Sequence, residues 1–291
     1  MFKGVFTALV TPFNRDGSVD ENALRDLVEF QIENKIHGLV PMGTTGESPT
    51  VSHEEHHKIV EIVIDQAKGR VPVIAGAGSN STAEAVGLTK HAGQAGAAAT
   101  LQVAPYYNKP TQEGFYRHFS TIADSVDLPL IVYNIPGRSG KNIENSTTLK
   151  LAQHKNIVGV KEASGNISQI MDLLLQKPDN FCVLSGDDNL VFSIMSLGGH
   201  GVISVASNLI PRQMADFVEQ ALQSNWEQAR KMHFELLPLF KAIFIETNPI
   251  PIKAALALKG MLQENYRLPM CPMEPGNKDK LKAVLHELKL L

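Results

Sequence analysis

Eight short apolar runs alternate with longer amphipathic segments over the first 223 residues of the chain. The short runs are Val5–Leu9, Gly38–Pro41, Val73–Gly76, Thr100–Ala104, Leu130–Asn134, Ile157–Lys161, Phe181–Ser185 and Gly201–Val205. Each is rich in Val, Ile or Leu and apolar on both faces, as a strand buried in a parallel sheet must be. The longer segments carry helical periodicity. In Asn22–Lys35, Leu24, Leu27, Val28 and Ile32 fall on one face. Ser52–Lys68 opens with Ser52 and Glu55 at capping-box spacing, and Ile59, Val63 and Ala67 then recur every four residues. Ser81 and Glu84 repeat that start signal. Further helices fit Gln112–Ser125, Ser146–Gln153, Asn166–Leu175, Asp188–Leu197 and Pro211–Gln223.

Eight strand–helix units predict an α/β fold, a (β/α)8 TIM barrel over residues 1–223, with a doubly wound open sheet as the alternative. Beyond it, Asn225–Ile245, Asn248–Lys259 and Lys278–Leu291 predict three more helices, a C-terminal helical extension over residues 224–291. The chain length of 291 residues suits a barrel, which typically takes ~250 residues plus additions. Hydrophobic residues make up 43% and charged residues 20%, enough apolar surface for a large core. The net charge of −3 leaves no basic excess for a nucleic-acid backbone, so no nucleic-acid partner is expected. Two cysteines, Cys182 and Cys271, are too few for a disulfide framework, and Cys182 in an apolar run reads as a buried free thiol. The first ten residues lack the apolar stretch and cleavage site of a signal peptide, and no apolar run approaches the ~18 residues of a membrane span. A cytoplasmic protein without a membrane partner is the expectation.

In such a barrel the chemistry sits at the carboxyl ends of the strands, and the polar residues gather there. The second run is followed by Gly43-Thr44-Thr45-Gly46-Glu47, the third by Gly76-Ala77-Gly78-Ser79-Asn80, and the fourth by Tyr106-Tyr107-Asn108. The fifth ends in Tyr133-Asn134-Ile135-Pro136-Gly137-Arg138, the sixth in Lys161-Glu162-Ala163-Ser164, and the seventh in Ser185-Gly186-Asp187-Asp188. Lys161 closes an apolar strand. It is either a desolvated amine able to attack a carbonyl or a lysine reaching from the strand end into water, and position alone leaves both open. Tyr133 could relay protons or bond a carbonyl, and Arg138 could clamp a carboxylate or lie solvated on its loop. Thr44 and Thr45 could bind a carboxylate or simply close a turn. Gly76-x-Gly78 lacks the third glycine of a dinucleotide loop, since position 81 is Ser81. His53-Glu54-Glu55-His56-His57 matches a zinc-protease pattern but lies in a first helical turn with no third ligand in sight, so no metal is expected.

Gly43-Thr44-Thr45-Gly46-Glu47, Tyr133-Asn134-Ile135-Pro136-Gly137-Arg138, Gly159-Val160-Lys161-Glu162-Ala163 and Asn248-Pro249-Ile250-Pro251-Ile252-Lys253 together resemble the dihydrodipicolinate synthase / N-acetylneuraminate lyase superfamily, and most of all its 4-hydroxy-tetrahydrodipicolinate synthase branch. The likeness runs essentially end to end. It implies a lyase that condenses pyruvate with L-aspartate 4-semialdehyde on the way to diaminopimelate and lysine. Lys161 is the implied Schiff-base lysine, and Tyr133, Thr44 and Tyr107 the implied proton relay, with Tyr107 reaching into a neighbouring subunit. Thr45, Gly186 and Ile203 are the implied pyruvate contacts, and Arg138 the implied ligand of the aldehyde's carboxylate. No cofactor is implied beyond the covalent imine. Ser48, His53, His56, Asn80, Glu84 and Tyr106 match the lining of an allosteric pocket for L-lysine, with Pro49 where a smaller residue is expected. A homo-oligomer, a homotetramer built as a dimer of dimers, is implied as well. Two other readings remain. One is a pyruvate-dependent sugar-acid aldolase, against which Arg138 and the Tyr106-Tyr107 pair argue. The other is a non-catalytic sensor on the same barrel, against which the retention of Lys161 and Tyr133 argues.

Overall fold

The computed structural model describes residues 1–291. Eight parallel strands run in the order β2-β1-β8-β7-β6-β5-β4-β3. They are β1 (Gly4–Ala8), β2 (Gly38–Val40), β3 (Ile74–Gly76), β4 (Ala99–Val103), β5 (Leu130–Asn134), β6 (Ile157–Glu162), β7 (Cys182–Ser185) and β8 (Gly201–Ser204). A single parallel bridge, Leu39 to Val73, joins β2 to β3 and closes the ring. The fold is therefore a TIM barrel and not an open sheet. The helices are α1 (Glu21–Glu33), α2 (His53–Ala67), α3 (Thr82–Ala95), α4 (Gln112–Asp124), α5 (Pro136–Ser139), α6 (Asn145–Leu151), α7 (Ile167–Gln176), α8 (Val191–Ser196), α9 (Pro211–Leu222), α10 (Trp226–Ala242), α11 (Ile250–Leu258) and α12 (Pro275–Glu287).

The side chains sort by strand parity. Phe6, Ala8, Val40, Ile74, Leu101, Ile131, Tyr133, Leu184 and Ile203 fill the barrel interior. Their neighbours, such as Val132, Val160 and Val183, pack outward against helices. The largest apolar cluster runs from Leu24, Ile59 and Phe217 through Leu239 and Ile252 to Leu285, so the C-terminal helices share one core with the barrel helices.

Some helix starts follow the sequence closely and others do not. Ser52 and Glu55 form the full reciprocal capping box at α2. At α3, Ser81 caps the backbone of Glu84, but the Glu84 carboxylate turns away to Ser79 and His53, so only half of the expected box forms. The expected helix at Asp188 opens as a 3-10 turn over Asp188–Leu190 before α8. The Asp188 carboxylate is committed elsewhere, accepting from the backbone of Val205 and Ala206 at 3.0 Å. The one-turn helix α5 had no periodicity to announce it. The last helix begins at Pro275 rather than Lys278, with proline in its first turn, where its missing N–H costs nothing.

Candidate active site

Lys161 on β6 and Tyr133 on β5 are paired directly across the sheet. Both side chains therefore point into the barrel at its carboxyl end. Lys161 is 5% exposed, and its Nζ lies 4.1 Å from the centre of the Tyr133 ring. Burial lowers the Lys161 amine to about 8, Asp187 and Asp188 oppose that shift, and Arg138 adds to it. Water hydrates an ammonium better than this apolar funnel does, so the neutral amine gains. Burial also pushes the Tyr133 phenol up, while Arg138 and a hydrogen bond with the Thr44 side chain pull it down. The bare backbone at Gly186 makes room for the lysine. A Cβ there would lie 2.6 Å from Ala163 Cβ and 3.1 Å from Lys161 Cε. Ile203 on β8 is fully buried in the barrel interior.

Thr44 and Thr45 lie on a 3-10 turn, Thr44–Gly46, that follows β2. The turn ends at Glu47 in the left-handed region with φ of 56°, a costly place for a residue with a long side chain. What holds Glu47 there is an ion pair with Lys253 of α11, Nζ to Oε1 2.5 Å, with side-chain exposures of 0% for Lys253 and 2% for Glu47. Lys253 also faces the rings of Phe13 and Tyr266. Asn248, just before α11, donates from Nδ2 to Thr45 Oγ1 at 3.0 Å. Arg138 on α5 donates from Nη2 to the Asn248 carbonyl at 3.1 Å. Lys161, Tyr133, Thr44, Thr45 and Arg138 thus come together at one end of the barrel. Tyr107 is not drawn in. It is 90% exposed, with φ of 71°.

A cavity of about 540 Å³ opens beside this end of the barrel. Its lining includes Ser48, His53, His56, Glu84 and Tyr106, and it reaches Thr44 and Arg138. Pro49 also lines it. Asn80 stands just behind, donating from Nδ2 to the Tyr106 carbonyl at 3.2 Å. Glu84 is held below its ordinary value by Ser79 first and then by His53, despite partial burial. Burial lowers His56 to about 4, so it is neutral there, with Nε2 2.8 Å from the Gly76 carbonyl. His53 and His57, the pair singled out by the zinc-like spacing, take different partners. His53 binds Glu84, and the His57 ring stacks on His91 at 3.8 Å. Gly76 and Gly78 serve close packing: a Cβ at Gly76 would sit 2.2 Å from the Met42 carbonyl, and one at Gly78 would sit 2.3 Å from the Val103 nitrogen.

Sequence reasoning did not single out Asp187, Asp188, Asn248, or the Glu47–Lys253 pair as site residues. Glu47, Asn248 and Lys253 all lie within motifs that were visible, but their pairing crosses more than 200 residues and has no local signature. Asp187 and Asp188 follow Gly186, and two acids after a strand suggest a helix start as readily as a counter-charge.

The whole-chain comparisons agree with this geometry. Residues 1–288 match the model of the dihydrodipicolinate synthetase family. The chain is 55% identical over 291 residues, 100% of both chains, to a 4-hydroxy-tetrahydrodipicolinate synthase of Syntrophus aciditrophicus. It superposes on the dihydrodipicolinate synthase of Aquifex aeolicus with a TM-score of 0.98 at 47% identity, covering 99% of each chain. The corresponding enzyme of Cyanidioschyzon merolae, solved with lysine bound, gives a TM-score of 0.97 at 42% identity over 100% of this chain and 99% of that one. With a buried lysine and tyrosine paired at the barrel mouth and a family match over nearly every residue, this chain belongs to the dihydrodipicolinate synthetase family.

Proposed function

We infer that this chain is a lyase that condenses pyruvate with L-aspartate 4-semialdehyde to give 4-hydroxy-tetrahydrodipicolinate, a step of diaminopimelate and lysine biosynthesis. The observation that carries the chemistry is the buried Lys161 amine, lowered to about 8 and held over Tyr133. A neutral amine attacks the ketone of pyruvate and loses water to form an imine. The protonated imine draws electrons from the methyl carbon, a methyl proton leaves, and the resulting enamine carbon attacks the aldehyde. The amino group of the second substrate then displaces Lys161 and closes the ring. The imine supplies the electron sink, so the reaction calls for no metal or organic cofactor.

We assign the proton transfers to Tyr133, Thr44 and Tyr107. Thr45, Gly186 and Ile203 hold pyruvate in this reading, and Arg138 grips the carboxylate of the aldehyde. Residues 1–223 form the catalytic barrel and residues 224–291 an extension that braces its mouth. The exposure of Tyr107 and its neighbour Tyr106 supports a homo-oligomer, a homotetramer, in which a second copy covers this pair. The cavity lined by Ser48, His53, His56, Glu84 and Tyr106, with Asn80 behind it, suits L-lysine as an inhibitor. The Glu84 carboxylate would pair with an ammonium group, and Tyr106 would serve the carboxylate end. No helix is long and apolar enough to cross a membrane, and a cytoplasmic site fits this metabolic role.

Borohydride reduction in the presence of pyruvate tests the core of this reading. The intact mass should rise by one reduced pyruvate adduct, peptide mapping should place it on Lys161, and Lys161→Ala should remain unlabelled. Equal labelling of Lys161→Ala would overturn the assignment.

A further inference from the structure

We propose that Asn248 is a positioning residue that ties the two substrate-carboxylate subsites to each other. The proposal rests on the reading of Thr45 and Arg138 given above. Asn248 hydrogen-bonds to both. Its side-chain amide donates to Thr45 Oγ1 at 3.0 Å, and its main-chain carbonyl accepts from Arg138 Nη2 at 3.1 Å. It is 4% exposed, and its bond to Thr45 is buried away from bulk water, while the bond from the exposed Arg138 is half-buried. Its remaining oxygen, Oδ1, is buried without a partner. An asparagine kept only to stabilise the chain would satisfy both ends of its amide, because an orphaned buried acceptor is costly. The amide is committed to Thr45 instead.

The surroundings make this tie stiff. Five residues further on, Lys253 locks Glu47, which ends the Thr44–Gly46 turn. The stretch Asn248–Lys253 therefore grips the turn at Thr45 and again at Glu47, while holding Arg138 from the other side of the mouth. A displacement of the Thr45 hydroxyl reaches the Arg138 guanidinium through a single residue. The orientation of the first substrate's carboxylate then sets the alignment of the clamp that receives the second.

The test is cross-talk between the two KM values. Thr45→Val removes the hydroxyl that Asn248 holds and leaves the C-terminal segment intact. It should raise the KM of aspartate semialdehyde as well as that of pyruvate, each about tenfold, the effect of losing one buried hydrogen bond. Thr45→Ser, which keeps the hydroxyl, should restore both. Asn248→Ala should raise both KM values with kcat within about threefold of native and a near-native melting temperature, and should add less than about twofold to the pyruvate KM once Thr45 is valine. If Asn248→Ala does not fold, the Thr45 series still decides. A pyruvate KM that moves alone in Thr45→Val overturns the tie, and so does an Asn248→Ala protein that melts early with unchanged KM values. Trapping of native enzyme on Lys161 together with no cross-talk in the Thr45 and Asn248 variants sinks this inference alone. Native enzyme that cannot be trapped sinks the functional reading with it.

Discussion

Burial holds the Lys161 amine at about 8, and Asp187 and Asp188 act against that shift. The sign gives a measurable profile. Only the neutral amine attacks pyruvate, so the rate of imine formation should climb with pH and level off above a midpoint near 8. Asp187→Asn removes a charge that favours the ammonium, so its midpoint should fall below the native one. A midpoint that stays put or rises in Asp187→Asn would show that the acid does not act on the lysine. The same shift feeds into stability. Between a folded value of about 8 and an ordinary value of 10.5, the unfolded chain binds the extra proton, so this residue favours folding more as pH rises through that window. The places of Lys161 and Tyr133 were legible because an ionisable group closing an apolar run stands out in one dimension, while their roles came only from the resemblance. Whether the amine was buried was not legible, since that depends on Gly186 clearing space from the next strand.

The turn Thr44–Gly46 and helix α11 form a unit held by the buried Glu47–Lys253 pair. Removing one partner strands the other charge in the core, so Lys253→Met should cost about 3–5 kcal/mol. Replacing both groups in Lys253→Met with Glu47→Gln should recover much of that loss. Chemical denaturation of the three variants checks this, and a double variant no better than Lys253→Met would argue that the ammonium does more than neutralise Glu47. All eight strands were legible from their apolar runs, because a strand covered on both faces leaves an unbroken signature. The full cap at Ser52 was legible too. The half cap at Ser81 was not, because Glu84 chose partners outside its own helix. The single turn α5, which carries Arg138, is too short for periodicity to reveal. The bonds of Asn248 join residues 110 and 203 positions apart, beyond the reach of any local pattern.

The catalytic mouth and the side cavity share a wall. Met42, Thr44, Ser48, Gly78 and Val103 line the cavity of about 540 Å³ and also a smaller one, of about 30 Å³, that touches Tyr133. A ligand in the larger space would therefore lie against Thr44 directly. L-Lysine should slow turnover of the native chain, with a coupling on the order of 1–3 kcal/mol, and Glu84→Ala should relieve the inhibition. Initial rates against lysine concentration decide this, and native enzyme indifferent to millimolar lysine would end the idea. The closure of the barrel adds one more consequence. β2 and β3 have only three residues each and meet through one bridge, with Leu39 donating to Pro72 and Gly76 donating to Pro41 across the gap. The ring is thus most compliant beside the wall that an effector would touch. Amides of Leu39 and Gly76 should take up deuterium faster than those of β5 and β6, and lysine should slow that uptake. Uniform uptake around the ring would mean that the enzyme receives its signal through a rigid body. Faster uptake at this seam would mean that breathing there is what the effector stills.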